Sequence, residues 1–323
     1  MPFMNMSNGD RLYYEISGPE KGARVMLLHG WCASMRLYVE QTRALVGAGY
    51  RVYAMDAAGH GRSSKKLDTA DKDVVVARFE EFAERVGLYG SPFALIGHSA
   101  GGGAAQQICI KSPERIACLV LLNTGYLMRD TLPRKIFWSF APQMVEALFN
   151  PVTKIALRPA VNVAADITGM IFNKDAREIR LWMTDVFRTR PDTARKEIEE
   201  IMRHNTKDDL PKIKCPTLII GGNFDPLAPA RQSLVLSKYI RSSELHIVPT
   251  AHAGKMLLSE LYNPHILDFL SRNYPANSMR STTAADKKHA GKAKTATSKK
   301  KRVGESVKRA AKGKKRAVSG GRK

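Results

Sequence analysis

The sequence predicts an α/β fold, a mostly parallel central sheet with helices on both faces, and three observations predict it. Apolar runs of strand length at residues 25–28, 51–55, 93–96, 116–122 and 217–220 alternate with segments of helical apolar spacing. The run at 93–96 leads into Gly97-His98-Ser99-Ala100-Gly101 and then into a small-residue helix start, the strand–turn–helix setting in which G-x-S-x-G exposes a serine. A chain of 323 residues, 44% hydrophobic, suffices for one large domain with an insertion and a tail.

In order, residues 3–6 and 11–16 flank Ser7-Asn8-Gly9-Asp10, and Asn-Gly is a strong hairpin signal. The strand at 25–28 runs into His29-Gly30-Trp31. A helical stretch at 37–46 stops at Gly47 and Gly49. The next strand, 51–55, opens the loop Asp56-Ala57-Ala58-Gly59-His60-Gly61-Arg62-Ser63. Helical spacing at 71–86 ends at Gly87. From 125 to 209 the alternation stops and helices are expected at 135–149, 175–188 and 192–204, with Pro151 and Pro159 breaking the chain between them. The rhythm resumes with a helix near 231–239, a strand at 244–248 and one final helix over 254–272. The expected division is therefore a core at 1–124 and 210–275, a helical cap at 125–209 and a tail at 276–323.

At the elbow, side chains two residues either side of a serine on so sharp a turn would collide with strand and helix, and Gly97 and Gly101 remove them. Ser99 is too weakly acidic to attack an acyl carbon unaided, so an imidazole must accept its proton. His252, on a loop after the last strand, is the candidate, and Asp225 would fix its tautomer. The helix N-terminus behind Ser99, starting at Ala100, directs unpaired N–H groups toward developing negative charge and is a candidate oxyanion donor. His29, His60 and His98 read as structural, and His204, His246, His265 and His289 lack motifs. Asp166, Asp208 and Asp209 are rival acids that follow no strand. Apolar residues such as Trp138, Phe149 and Trp182 read chiefly as packing of the cap and secondarily as a lining that favours an apolar substrate group.

These motifs resemble the α/β-hydrolase fold family over residues 3 to about 273. His29-Gly30-Trp31 falls where that family places its oxyanion loop, which implies the backbone N–H groups of Trp31 and Ala100 as the oxyanion donors, and the 56–63 loop resembles its D-x-x-G-x-G-x-S segment. Gly221-Gly222-Asn223-Phe224-Asp225 resembles the turn bearing the acid, and Pro249-Thr250-Ala251-His252 the terminal histidine block. The order Ser, Asp, His is the one this fold uses. The resemblance implies a serine hydrolase acting on an ester, thioester or lactone, with other chemistry on the same triad, such as C–C hydrolysis, perhydrolysis or a lyase step, as the alternative. No cofactor or metal is implied. A third alternative is a polyanion-binding module with a residual hydrolase domain.

Charge divides the chain. Residues 276–323 hold 17 Lys+Arg against Asp286 and Glu305, a net of +15, which leaves 22 − 15 = +7 on the remaining residues. Without an aromatic, leucine or isoleucine the tail lacks the surface to fold alone. It resembles the lysine/alanine-rich tails of histone H1-like proteins, and its charge attracts nucleic acid or another polyanion through counterion release. Cys32, Cys109, Cys118 and Cys215 are far apart in sequence, so a disulfide framework or zinc site is not expected. No signal peptide or membrane span is read from the sequence. The expectation is an intracellular, cytoplasmic chain, with nucleoid or nuclear association open through the tail.

Overall fold

The computed structural model describes residues 3–64 and 70–278; the tail expected at 276–323 lies outside the described residues beyond Ser278. The strands are β1 (Phe3–Asn5), β2 (Arg11–Ser17), β3 (Arg24–Leu28), β4 (Arg51–Met55), β5 (Phe93–His98), β6 (Ile116–Leu122), β7 (Thr217–Gly222) and β8 (Ser243–Val248). They form one sheet in the order β1-β2-β4-β3-β5-β6-β7-β8. β1 and β2 are antiparallel, joined through the Asn8-Gly9 turn, and from β4 onward all pairs are parallel.

Helices α1 (Val39–Gly47), α2 (Lys72–Arg85) and α3 (Ala100–Lys111) occupy the first half of the chain. Between β6 and β7 come α4 (Leu132–Ser139), α5 (Ala141–Phe149), α6 (Pro151–Phe172), α7 (Ala176–Arg188) and α8 (Pro191–Arg203). The chain then adds α9 (Ala230–Tyr239), α10 (Gly254–Leu257) and α11 (Asn263–Asn273).

Because side chains alternate across a strand, each strand feeds two cores. Met26, Leu28, Leu95, Leu119, Leu121 and Ile219 pack with α2, α3 and α9. The alternate residues Leu27, Ala94, Ile96, Val120 and Ile220 are fully buried on the other face, where α1, α10 and α11 meet. β5 is buried at all six positions, and each large apolar side chain there contributes about 1.5–3 kcal/mol. Strand order reverses between β3 and β5. That switch opens a crevice beyond the carboxyl ends of the strands, where ligands of such sheets bind.

Two expectations, the break at Pro159 and the single C-terminal helix, are corrected. Pro151 marks a helix boundary as expected, with Asn150 extended between α5 and α6, but Pro159 does not break the segment. Pro151 sits in the first turn of α6, where its missing N–H costs nothing, and Pro159 lies inside the same 22-residue helix. The carbonyl that Pro159 leaves unbonded belongs to exposed Ile155, where water can bond it. The single helix expected over 254–272 is instead α10, a short 3-10 turn at Ser259–Leu261 and α11. Pro264 begins the new helix, since proline favours a first turn over an interior.

Candidate active site

Ser99 follows β5 directly and caps α3 with φ 53 and ψ −122, a conformation that strains any residue with a Cβ. The glycines on either side make it feasible. A Cβ on Gly97 would lie 2.5 Å from the Gly101 carbonyl oxygen, and one on Gly101 2.2 Å from that of Leu28. Thr124 Oγ1 donates to the Ser99 carbonyl at 2.7 Å and pins the turn from β6.

Asp225 and His252 follow β7 and β8, so three strand ends bring the three residues together. His252 Nε2 lies 2.8 Å from Ser99 Oγ, and His252 Nδ1 lies 2.8 Å from Asp225 Oδ2. The Asp225 side chain is wholly buried, and every oxygen is satisfied. Oδ1 accepts from the N–H groups of Leu227 and Ala228, both at 2.9 Å, and Oδ2 also accepts from Asn123 Nδ2 at 3.0 Å. A carboxylate so held cannot swing away from the imidazole.

Trp31, after β3, and Ala100, first residue of α3, line the same cavity as Ser99 and His252. Neither backbone N–H meets a protein acceptor among the described residues. The N-terminus of α3 adds a positive dipole end there. Four of the five residues selected from the sequence thus line one cavity of about 210 Å³, and Asp225 stands buried behind His252. Its wall is mostly apolar, with Trp138 from α4 and Ile198 and Ile201 from α8 among the contributors.

The remaining histidines divide by role. His29 is held neutral, its pKa lowered to about 4 by burial and by His60; its Nε2 accepts the Ala57 N–H at 2.9 Å. Burial alone would lower His60, but Glu197 lies 2.9 Å from its Nε2, and the net shift is upward. This contact, an ion pair when His60 is protonated, ties the loop after β4 to α8. His98 is buried and held neutral, first by burial and then by Lys255. Its Nε2–H donates to the His252 carbonyl at 2.9 Å, so it braces the histidine loop without reaching Ser99. Asp166 and Asp209 are surface ion-pair partners of Arg180 and Lys212, not members of the site.

Three contributors escape sequence reasoning. Asn123 receives the Tyr262 hydroxyl on Oδ1 at 2.8 Å, and that hydroxyl is 2.6 Å from Thr250 Oγ1. Asn123 and Tyr262 thereby buttress Asp225 from β6 and from the turn before α11. Asn123 does carry a positional signal: it ends β6 as Ser99 ends β5, at the sheet edge where sites form. His204 carries none. It lines the cavity at the end of α8, and burial, with Lys72 nearby, lowers its pKa to about 4.

Among the described residues no cluster of His, Cys, Asp or Glu is arranged to hold a metal. The arrangement can present a serine hydroxyl to an electrophilic carbon, take its proton and bind a developing oxyanion. Several known proteins resemble this chain along most of its length. The chain is 27% identical over 282 residues to a protein of Caulobacter sp. (strain K31) named "Putative carbamate hydrolase RutD", covering 83% of this chain and 98% of that one. It is 28% identical to the non-heme haloperoxidase of Rhodococcus erythropolis, covering 84% and 99%. The enol-lactonase of Burkholderia xenovorans LB400 superposes with a TM-score of 0.70 at 20% identity, covering 84% of this chain and 100% of that one. The family model described as serine aminopeptidase, S33, matches residues 19–260. The chain is an enzyme of the α/β-hydrolase fold and belongs to the serine aminopeptidase S33 family.

Proposed function

We propose that the protein cleaves a carboxylic ester, thioester or lactone through Ser99, His252 and Asp225 by way of an acyl-enzyme. The observation that carries this reading is the unbroken line from Asp225 through His252 to Ser99 at the wall of a mostly apolar cavity. His252 Nε2 takes the proton of Ser99 Oγ as that oxygen attacks the acyl carbon, then returns it to the leaving group. Water, deprotonated by the same nitrogen, releases the acid. Asp225 holds the Nδ1–H tautomer and opposes the imidazolium charge. The Trp31 and Ala100 N–H groups receive the oxyanion, and losing one such donor costs about 2.7–4 kcal/mol.

The helices between β6 and β7 act as a cap. Trp138, Ile198 and Ile201 reach the cavity from it, which favours a small molecule with an apolar acyl or alcohol group. A panel of p-nitrophenyl esters set against vinylogous diketones tests the reaction class. Turnover of esters supports the reading, and turnover of the diketones alone replaces it with C–C hydrolysis. The haloperoxidase relative favours a second reading on the same triad, perhydrolysis, in which hydrogen peroxide replaces water and the acyl-enzyme yields a peracid. Peracid formation from an ester plus peroxide distinguishes it.

We further propose that residues 276–323 bind nucleic acid or a similar polyanion. The net +15 of that stretch supports this. Log Kd should rise linearly with log salt, since each phosphate engaged contributes a slope of about 0.9.

A further inference from the structure

Among the described residues sixteen large apolar side chains are exposed, and twelve of them lie between Leu132 and Ile171, eleven on α4, α5 and α6 and Phe140 at the junction of α4 and α5. Single exposures are ordinary, whereas such a concentration marks a surface that something covers. The longest contribution comes from α6. One stripe of it, including buried Ala165 and Gly169, packs against α7. A second stripe, Val152, Ile155, Val163, Ile167 and Met170, repeats at helical spacing and is 51–82% exposed. A helix that is apolar on both sides belongs where both sides are covered.

We infer that the outer face of α4–α6 docks on an anionic lipid bilayer. Two other occupants fit less well. Residues 276–323 contain no aromatic, leucine or isoleucine, and only Met279, Val303, Val307 and Val318 among larger apolar residues, scattered among charges and too few to cover this face. A second copy would bring together two chains of formal charge +22, which repel. An anionic bilayer meets both demands. It admits apolar side chains into its headgroup–acyl boundary and attracts a positive chain. The face itself is mildly basic: residues 132–172 hold Arg134, Lys135, Lys154 and Arg158 against Glu146 and Asp166, a net of 4 − 2 = +2. Asp166 is paired with Arg180.

By length and a mean hydropathy of 1.3, α6 is also long and apolar enough to cross a membrane. Its three charges, Lys154, Arg158 and Asp166, and its packing on α7 fit a helix that lies on the surface. α4 connects the face to the catalytic cavity, since Ile136 and Phe137 are exposed while Trp138 lines the cavity.

Co-sedimentation of the full chain with phosphatidylcholine vesicles, with and without phosphatidylglycerol, tests the inference. The variant Ile155→Gln/Ile167→Gln/Met170→Gln changes only exposed positions, and circular dichroism checks its fold. The expected result is binding to phosphatidylglycerol vesicles that partly survives salt on the order of 1 M, where the Debye length is about 3 Å, and that falls at least about tenfold in the variant. The inference is overturned if wild type does not bind, or if the variant binds as well as wild type. Binding abolished by salt and indifferent to the substitutions would assign it to basic residues elsewhere, and also overturns it. So does a dimer in solution that the variant disrupts while vesicles go unbound.

Discussion

At the scale of single residues, the account rests on proton traffic through His252. Ser99→Ala should lower kcat by roughly 10³–10⁶ without unfolding the chain, because the triad acts as a unit; retention of more than about a tenth of turnover contradicts the assignment. Asn123→Ala is a finer test. It removes one donor to the Asp225 carboxylate and one acceptor for Tyr262. A hydrogen bond to a charged group is worth about 1.5–3 kcal/mol, so kcat should fall roughly 10- to 100-fold with KM little changed. An equal loss in kcat/KM carried wholly by KM would place Asn123 in substrate binding instead. Ser99, Asp225, His252, Trp31 and Ala100 were legible because each sits in a local motif next to a strand end. Asn123 and Tyr262 were not, because their role exists only across 139 positions of sequence.

Among elements, the contact between α8 and the loop after β4 governs how the helical segment is held over the cavity. The raised pKa of His60 means that its folded form binds a proton more tightly than the unfolded chain does. The His60–Glu197 contribution is therefore complete below the ordinary histidine value of ~6.5 and is lost as pH rises through the higher folded value. Thermal unfolding should show Glu197→Gln less stable than wild type by about 1–3 kcal/mol near pH 6, with the gap narrowing toward pH 9. A gap that is constant with pH would mean the pair is not titrating. The inner strands were legible as apolar runs, β1 and β2 as the arms of an Asn-Gly hairpin, α2 as a periodic segment and α3 as a small-residue helix start. α6 was not legible, because local rules stop a helix at Pro159. Nor was the break before Pro264, where an apolar pattern continues across a change of helix.

For the whole molecule, the two proposed functions belong to separate stretches of one chain. A chain ending at Ser278 keeps the hydrogen bond from the Ala23 N–H to the Ala276 carbonyl, 2.9 Å, which ending at Pro275 would remove. It should lose DNA retention in a gel-shift assay at low salt and keep ester turnover within about twofold, since the +15 segment carries the electrostatic term. Undiminished DNA binding would move that site onto the remaining +7.

The most direct test of the central claim is intact-protein mass spectrometry of samples quenched during turnover of a p-nitrophenyl ester, with peptide mapping of the adduct. The account predicts one acyl group per chain, located on Ser99, formed in step with the p-nitrophenol burst and absent from Ser99→Ala. Steady turnover with a pre-steady-state burst but no adduct on Ser99, or an adduct on another residue that Ser99→Ala leaves in place, would contradict it.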